Sequence, residues 1–257
     1  MSWRRFGGRQ GKVGAALVAV VVLTLGSTSC HQKAVVEESA PPPLSVTTMK
    51  FADFPNGPAP TTFAGGPTTI SPEDVSDDPA SKFHVVDGKL TVEPTLREPN
   101  SSYFTSPDLG SPVVKIGARW VWIRREGSPN GAMGLVVSNR IVRPPFPVHV
   151  VVTQTGWNYG VWDPMEGESA PELDILQAGK FDPPLKDDGK TVYEVEVTVD
   201  GDKAFLRLPD GQRRTIRDKR IAEYAGKYAT FEVWARDGVT DATAAFTEVW
   251  AAHQPAQ

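Results

Sequence analysis

Eight residues near the middle of the chain, Gly156-Trp157-Asn158-Tyr159-Gly160-Val161-Trp162-Asp163, set three aromatic rings beside an amide and a carboxylate. An aromatic face stacks on the apolar C–H face of a pyranose, while amides and carboxylates meet its hydroxyls at the edge. If this stretch is extended, Trp157 and Tyr159 share one face and Trp162 takes the other. Further on, Glu172-Leu173-Asp174-Ile175-Leu176-Gln177 alternates acidic and apolar residues, which puts Glu172 and Asp174 on one face of a strand. Two readings of that pattern stay open: a lining of a site, or the solvent face of an ordinary strand whose Leu173, Ile175 and Leu176 are core. Trp120 and Trp122 also share a face and read as packing between sheets.

The remaining chemistry is sparse. Four histidines, His31, His84, His149 and His253, are scattered without metal-ligand spacing, so no metal site is expected. Nothing signals a cofactor. The acidic group Glu73, Asp74, Asp77 and Asp78 lacks a regular calcium-ligand spacing and reads as a solvated face. Cys30 is the single cysteine, which rules out an intrachain disulfide.

These residues need elements to hold them. Arg4, Arg5, Arg9 and Lys12 precede an apolar run from Val13 to Leu25, the n- and h-regions of a signal peptide. As a helix the 14 residues from Val13 to Gly26 reach only ~21 Å at ~1.5 Å per residue, short of a ~30 Å hydrocarbon core. Gly26-Ser27-Thr28-Ser29-Cys30 resembles the lipobox of bacterial lipoproteins, with Ser27 where leucine is usual. The resemblance implies lipidation of Cys30 by diacylglycerol, with palmitate-type acyl chains, and a membrane partner through that anchor. Removing residues 1–29 takes four cations and no acid, deepening the formal charge from −4 to −8 and making nucleic acid a poor partner. The expected organisation is signal peptide 1–29, anchor and proline-rich linker 30–44, one β domain 45–252 and a tail 253–257, on the outer side of the cell membrane.

Within 45–252 the turn chemistry predicts strands. Asp-Gly pairs at 87–88, 200–201 and 210–211 separate runs of alternating apolar residues, and such pairs supply the positive φ of tight hairpins. Further strands are expected over 113–124, 134–138, 148–153, 173–177, 229–235 and 246–251. Trp234 and Trp250 are expected in the core. One short helix is expected over 218–225, and 55–79, rich in Gly and Pro, reads as a long surface excursion.

The stretches Phe83 to Val92 (FHVVDGKLTV) and Tyr193 to Gly211 (YEVEVTVDGDKAFLRLPDG) resemble hairpins of the concanavalin A-like lectin and glucanase superfamily. That resemblance implies an all-β fold, an antiparallel two-sheet jelly-roll sandwich. ELDILQ is similar to the E-x-D-x-x-E strand of laminarinase-type family 16 glycoside hydrolases, whose first Glu is the nucleophile and last Glu the acid/base, projecting into a concave cleft. Carried over, Glu172 is the nucleophile, Asp174 assists, and a bulge brings residue 177 to the same face. Here that residue is Gln177, which cannot exchange a proton at neutral pH, while a retaining hydrolase needs both carboxylates.

Three functions follow as expectations. The first is a membrane-tethered, non-catalytic domain whose partner is an envelope polysaccharide or other glycan, bound through Trp157, Tyr159, Trp162, Glu172, Asp174 and Gln177. The second is a hydrolase with Glu172 as nucleophile and Asp163 or Glu166 as acid. The third is a structural or protein-binding envelope lipoprotein.

Overall fold

Positive φ values at Asp87 (49°) and Gly88 (70°) close the two-residue hairpin that the sequence marks there, with Val86 opposite Lys89. This computed structural model describes residues 43–72, 83–92, 100–124, 131–139, 148–163, 172–235 and 242–255. The described strands begin with β1 (Ser45–Lys50), β2 (Gly57–Pro58), β3 (Thr62–Phe63), β4 (Gly66–Pro67), β5 (Thr69–Pro72), β6 (Phe83–Val86) and β7 (Lys89–Val92). Then come β8 (Asn100–Thr105), β9 (Val113–Arg124), β10 (Ala132–Ser138), β11 (Val148–Val152), β12 (Gly156–Asp163) and β13 (Glu172–Lys180). The last are β14 (Tyr193–Asp200), β15 (Lys203–Arg207), β16 (Arg213–Arg217), β17 (Tyr228–Ala235) and β18 (Ala242–His253), with helix α1 (Lys219–Tyr224) before β17.

Apart from the small β3–β4 pair, these strands form two antiparallel sheets packed face to face, the expected all-β jelly-roll sandwich. The nine-stranded sheet runs β16-β15-β14-β9-β18-β7-β6-β2, with β1 also on β18. The seven-stranded sheet runs β13-β12-β11-β10-β17-β8-β5. Alternation sends Val195 and Val197 of β14 and Ala204 and Leu206 of β15 into one core with Val148, Val150 and Val152 of β11. Trp120 and Trp122 lie there edge to face, centroids 6.2 Å apart at 90°, both fully buried as their spacing predicted.

The reading of 55–79 as a surface excursion needs correction where it is described. Phe63 of β3 is buried against Phe104 (6.4 Å) and Phe231 (6.1 Å), and β5 adds a strand to the seven-stranded sheet through β8. Burying one such ring contributes about 2–3 kcal/mol, which outweighs the local turn preference of Gly65 and Gly66 that made the segment look like a loop. The acidic group at 73–78 lies outside the described residues. Trp234 and Trp250 also depart from expectation, since both are only partly buried and sit on outward faces of their sheets. Helix α1 forms where expected: Asp218, extended at φ −155°, accepts from the Arg220 backbone N–H and caps it.

Candidate functional site

Register decides which side of β12 looks outward. Trp157, Tyr159 and Val161 belong to the core between the sheets, Trp157 5% exposed and Tyr159 fully buried, whereas Asn158, Gly160 and Trp162 lie on the outer face. Trp157 and Tyr159 are therefore core residues and not the stacking surfaces expected of them. A strand's period of two fixes that they share a face; only pairing with the neighbouring strands fixes which face is inside. Burial pushes the Tyr159 hydroxyl up from its ordinary range, and the negative charge of Asp218 adds to the effect.

The acidic strand is the edge strand β13, and it carries the expected bulge. Asp174 pairs with Val161 and Gln177 with Tyr159, leaving one extra residue on β13 between the Gly160 and Tyr159 partners. Residues 174 and 177 thus share a face, but it is the face of Val161 and Tyr159, turned toward the other sheet. Asp174 accepts from Arg220 Nη2 at 2.7 Å, and that guanidinium also reaches Asp218 Oδ2 at 2.8 Å. The hydrogen bond from Arg220 first, with burial opposing it, holds the Asp218 carboxyl below the usual range. Asp174 ties α1 across the open edge of the sandwich rather than lining a cleft. Glu172 starts the strand opposite Asp163. The side chains of both, all of Glu166, and Cys30 lie outside the described residues.

The sequence did not single out the cluster on the outer face of the seven-stranded sheet. His149 of β11 and Glu232 of β17 meet across β10, His149 Nε2 2.7 Å from Glu232 Oε2, their side chains only 6% and 8% exposed. Gly134 makes this possible, because a Cβ there would lie 2.5 Å from Glu232 Oε2 and 2.7 Å from His149 Nε2. Trp162 Nε1–H donates to His149 Nδ1 at 3.4 Å. The imidazole thus has the indole at one ring nitrogen and the Glu232 carboxyl close to the other. Tyr103 and Val136 are buried beside the group and Trp162 packs on them. A carboxylate so far out of water is costly unless hydrogen-bonded, and such groups concentrate at functional sites. The available signal was a single charged or titratable residue within an apolar strand, as in VHVVV and TFEVW.

The same face continues toward β13. A shallow depression of about 390 Å³ is lined by Val151, Thr153, Asn158, Ile175 and Lys180, among others. Ile175 is 51% exposed there, and the buried Asn158 Oδ1 has no partner among the described residues. Among the described residues no cluster of three metal-ligating side chains occurs, and no helix is long and apolar enough to cross a membrane.

Comparison with solved structures finds the same two-sheet antiparallel sandwich fold in other proteins. A LamA variant from Zobellia galactanivorans, in complex with laminaritriose and laminaritetraose, aligns with TM-score 0.52 at 10% identity, covering 83% of this chain and 100% of that one. LamAcat from the same organism gives 0.51 at 10% identity, over 80% and 96%. A legume lectin-like domain from Entamoeba histolytica gives 0.50 at 12% identity, over 73% and 90%. No family model and no curated protein matches the sequence. At these identities the likeness establishes the fold.

Proposed function

We propose that this chain is a non-catalytic carbohydrate-binding sandwich, held outside the cell membrane by a lipid on Cys30, that takes envelope glycan on the outer face of its seven-stranded sheet. The Trp162–His149–Glu232 cluster carries this reading. It puts an indole, an imidazole and a carboxyl group on one sheet face, beside a depression in which Asn158 offers an amide. Trp162 and Trp234 supply the apolar platforms for sugar rings, and the polar groups orient the hydroxyls. A retaining hydrolase requires two carboxylates about 5 Å apart. Glu232 is the one carboxylate among the described side chains of this face, and the ELDILQ strand has Gln177 in place of an acid, so binding without cleavage fits better.

The test is a glycan array followed by titration of the full chain against any oligosaccharide retained. Native protein binds and releases no reducing ends from laminarin, and Trp162→Ala, with an unchanged far-ultraviolet spectrum, loses at least about tenfold in affinity, the scale of losing one well-packed aromatic contact. Binding unaffected by Trp162→Ala and Trp234→Ala, or the absence of any glycan ligand, refutes the assignment. The anchor is tested separately: the native chain takes up labelled fatty acid and partitions with membranes, and Cys30→Ala does neither.

A further inference from the structure

The other outward face, that of the nine-stranded sheet, has its own charge pattern. Acids and bases cancel across most of it. Arg119 bonds Glu194 (2.7 Å) and Glu248 (2.9 Å), and Arg207 shares Glu194. Lys115 lies 3.3 Å from Glu196, which also accepts from Trp250 Nε1. The cancellation stops at the edge strand β16. Arg213 has no carboxylate partner among the described residues, whereas Arg214, opposite the buried Leu206, starts from the other face of β16 and bonds Gln212 Oε1 and the Arg213 carbonyl.

These groups border one cavity of about 560 Å³ lined by Lys115, Arg207, Arg213 and Arg214, with Glu196 as its one acid. Arg213 stands directly opposite Arg207, and Thr215 opposite Phe205, so two guanidiniums and an aromatic ring occupy adjacent rows of the pleat. Phe205 is 39% exposed. With Glu194 and Glu196 already engaged by Arg119, Arg207 and Lys115, the cavity keeps the positive charge of Arg213. That is unusual for a chain with a formal charge of −4. Arg213 directly opposite Arg207 costs self-repulsion in the empty protein and gains when an anion arrives.

We infer that this cavity is a second binding site, for a polysaccharide bearing carboxylates. Guanidinium forks match planar carboxylates two bonds at a time, which favours arginine over lysine for this task. The apolar face of Phe205 offers a surface for the sugar ring between its charges, and Thr198 and Thr215 offer hydroxyls at its rim. A lipid headgroup would use the cations but leave Phe205 and the pleated rows without a role. The site is on the opposite sheet from the Trp162 cluster, so the two stand or fall separately.

The probe is polygalacturonate, titrated against the full chain in detergent, with dextran as the neutral control and phosphatidylglycerol vesicles as the anionic lipid. Native protein binds polygalacturonate, weakens as salt rises from 0.05 to 0.5 M (about 14 to 4 Å of screening length), and ignores dextran at this site. Arg213→Glu with Arg207→Glu weakens binding by at least about thirtyfold, reversal of two charge-assisted contacts, and Phe205→Ser weakens it at constant charge. Trp162→Ala leaves it unchanged. The inference is overturned if polygalacturonate does not bind, if the double reversal leaves its affinity intact, or if vesicles bind while the polymer does not.

Discussion

Replacing Gly134 by alanine adds one methyl group, and its effect has a sign that the structure determines. Gly134 lies in extended backbone within β10, which any residue adopts, so on backbone entropy alone alanine should stabilise by about 0.4–1 kcal/mol. The new Cβ, however, would stand 2.5 Å from Glu232 Oε2 and 2.7 Å from His149 Nε2, contacts that van der Waals radii do not permit. Both tips are side-chain ends, but at 6% and 8% exposure neither can swing into water without opening the face. Overpacking of this kind costs about 1–3 kcal/mol, and fully parting the buried pair costs up to about 3–5. The expected net loss is therefore about 1–3 kcal/mol, a urea midpoint lower by about 0.3–1 M at a slope of about 3 kcal/mol/M. The decisive comparison uses a chain already carrying His149→Ala and Glu232→Ala, where the methyl meets space. There Gly134→Ala should turn neutral or stabilising. A stabilising Gly134→Ala in the native background, or a penalty that persists in the doubly truncated chain, would refute the idea that this glycine exists to let His149 and Glu232 meet.

Further outcomes follow from the same geometry. Gly117→Ala sets a Cβ 2.2 Å from the Trp250 ring, so it should displace that indole from Glu196 and Arg119 and lower stability by about 1–3 kcal/mol, read as a fall in urea midpoint. Asp218 has its folded pKa depressed by Arg220, so its stabilisation is present above the unfolded value of about 3.9 and is lost as pH falls through the folded value. Urea midpoints should therefore drop below about pH 4 in native protein, and Arg220→Met should flatten that acid limb while lowering stability at neutral pH. Tyr159→Phe removes a buried hydroxyl with no partner among the described residues and should leave stability equal or higher, with glycan binding unchanged. Gln177→Glu, on the inner face of the edge strand, should create no β-glucanase activity; appearance of reducing ends from laminarin would show that the face assignment of β13 is wrong.

Much of the fold was legible along the chain. Asp87-Gly88 needs no tertiary contact to turn, because the backbone freedom of glycine and the tolerance of aspartate for positive φ are local properties. The alternation of Tyr193 to Leu208 likewise predicts strands with one wet and one dry face, and the short helical stretch over 218–225 announces α1. The bulge in Glu172–Lys180 was implied by the resemblance of ELDILQ to the E-x-D-x-x-E strand. Local sequence did not determine the sign of each face. Trp157 and Trp162 are equally aromatic and close in sequence, yet one fills the core and the other looks outward, because β11 and β13 fix the register of β12 from both sides. Phe63, in a segment that reads as a turn-rich loop, goes inside because Phe104 and Phe231 leave it a place. The His149–Glu232 pair joins strands far apart in sequence across a glycine on a third, and Arg207 meets Arg213 only when β15 and β16 fold back on each other. Pairing between strands is a long-range choice set by the packing of two whole sheets, so the residues it brings together are decided by the tertiary structure, whereas turns, strand periodicity and caps are decided by a few neighbours in the chain.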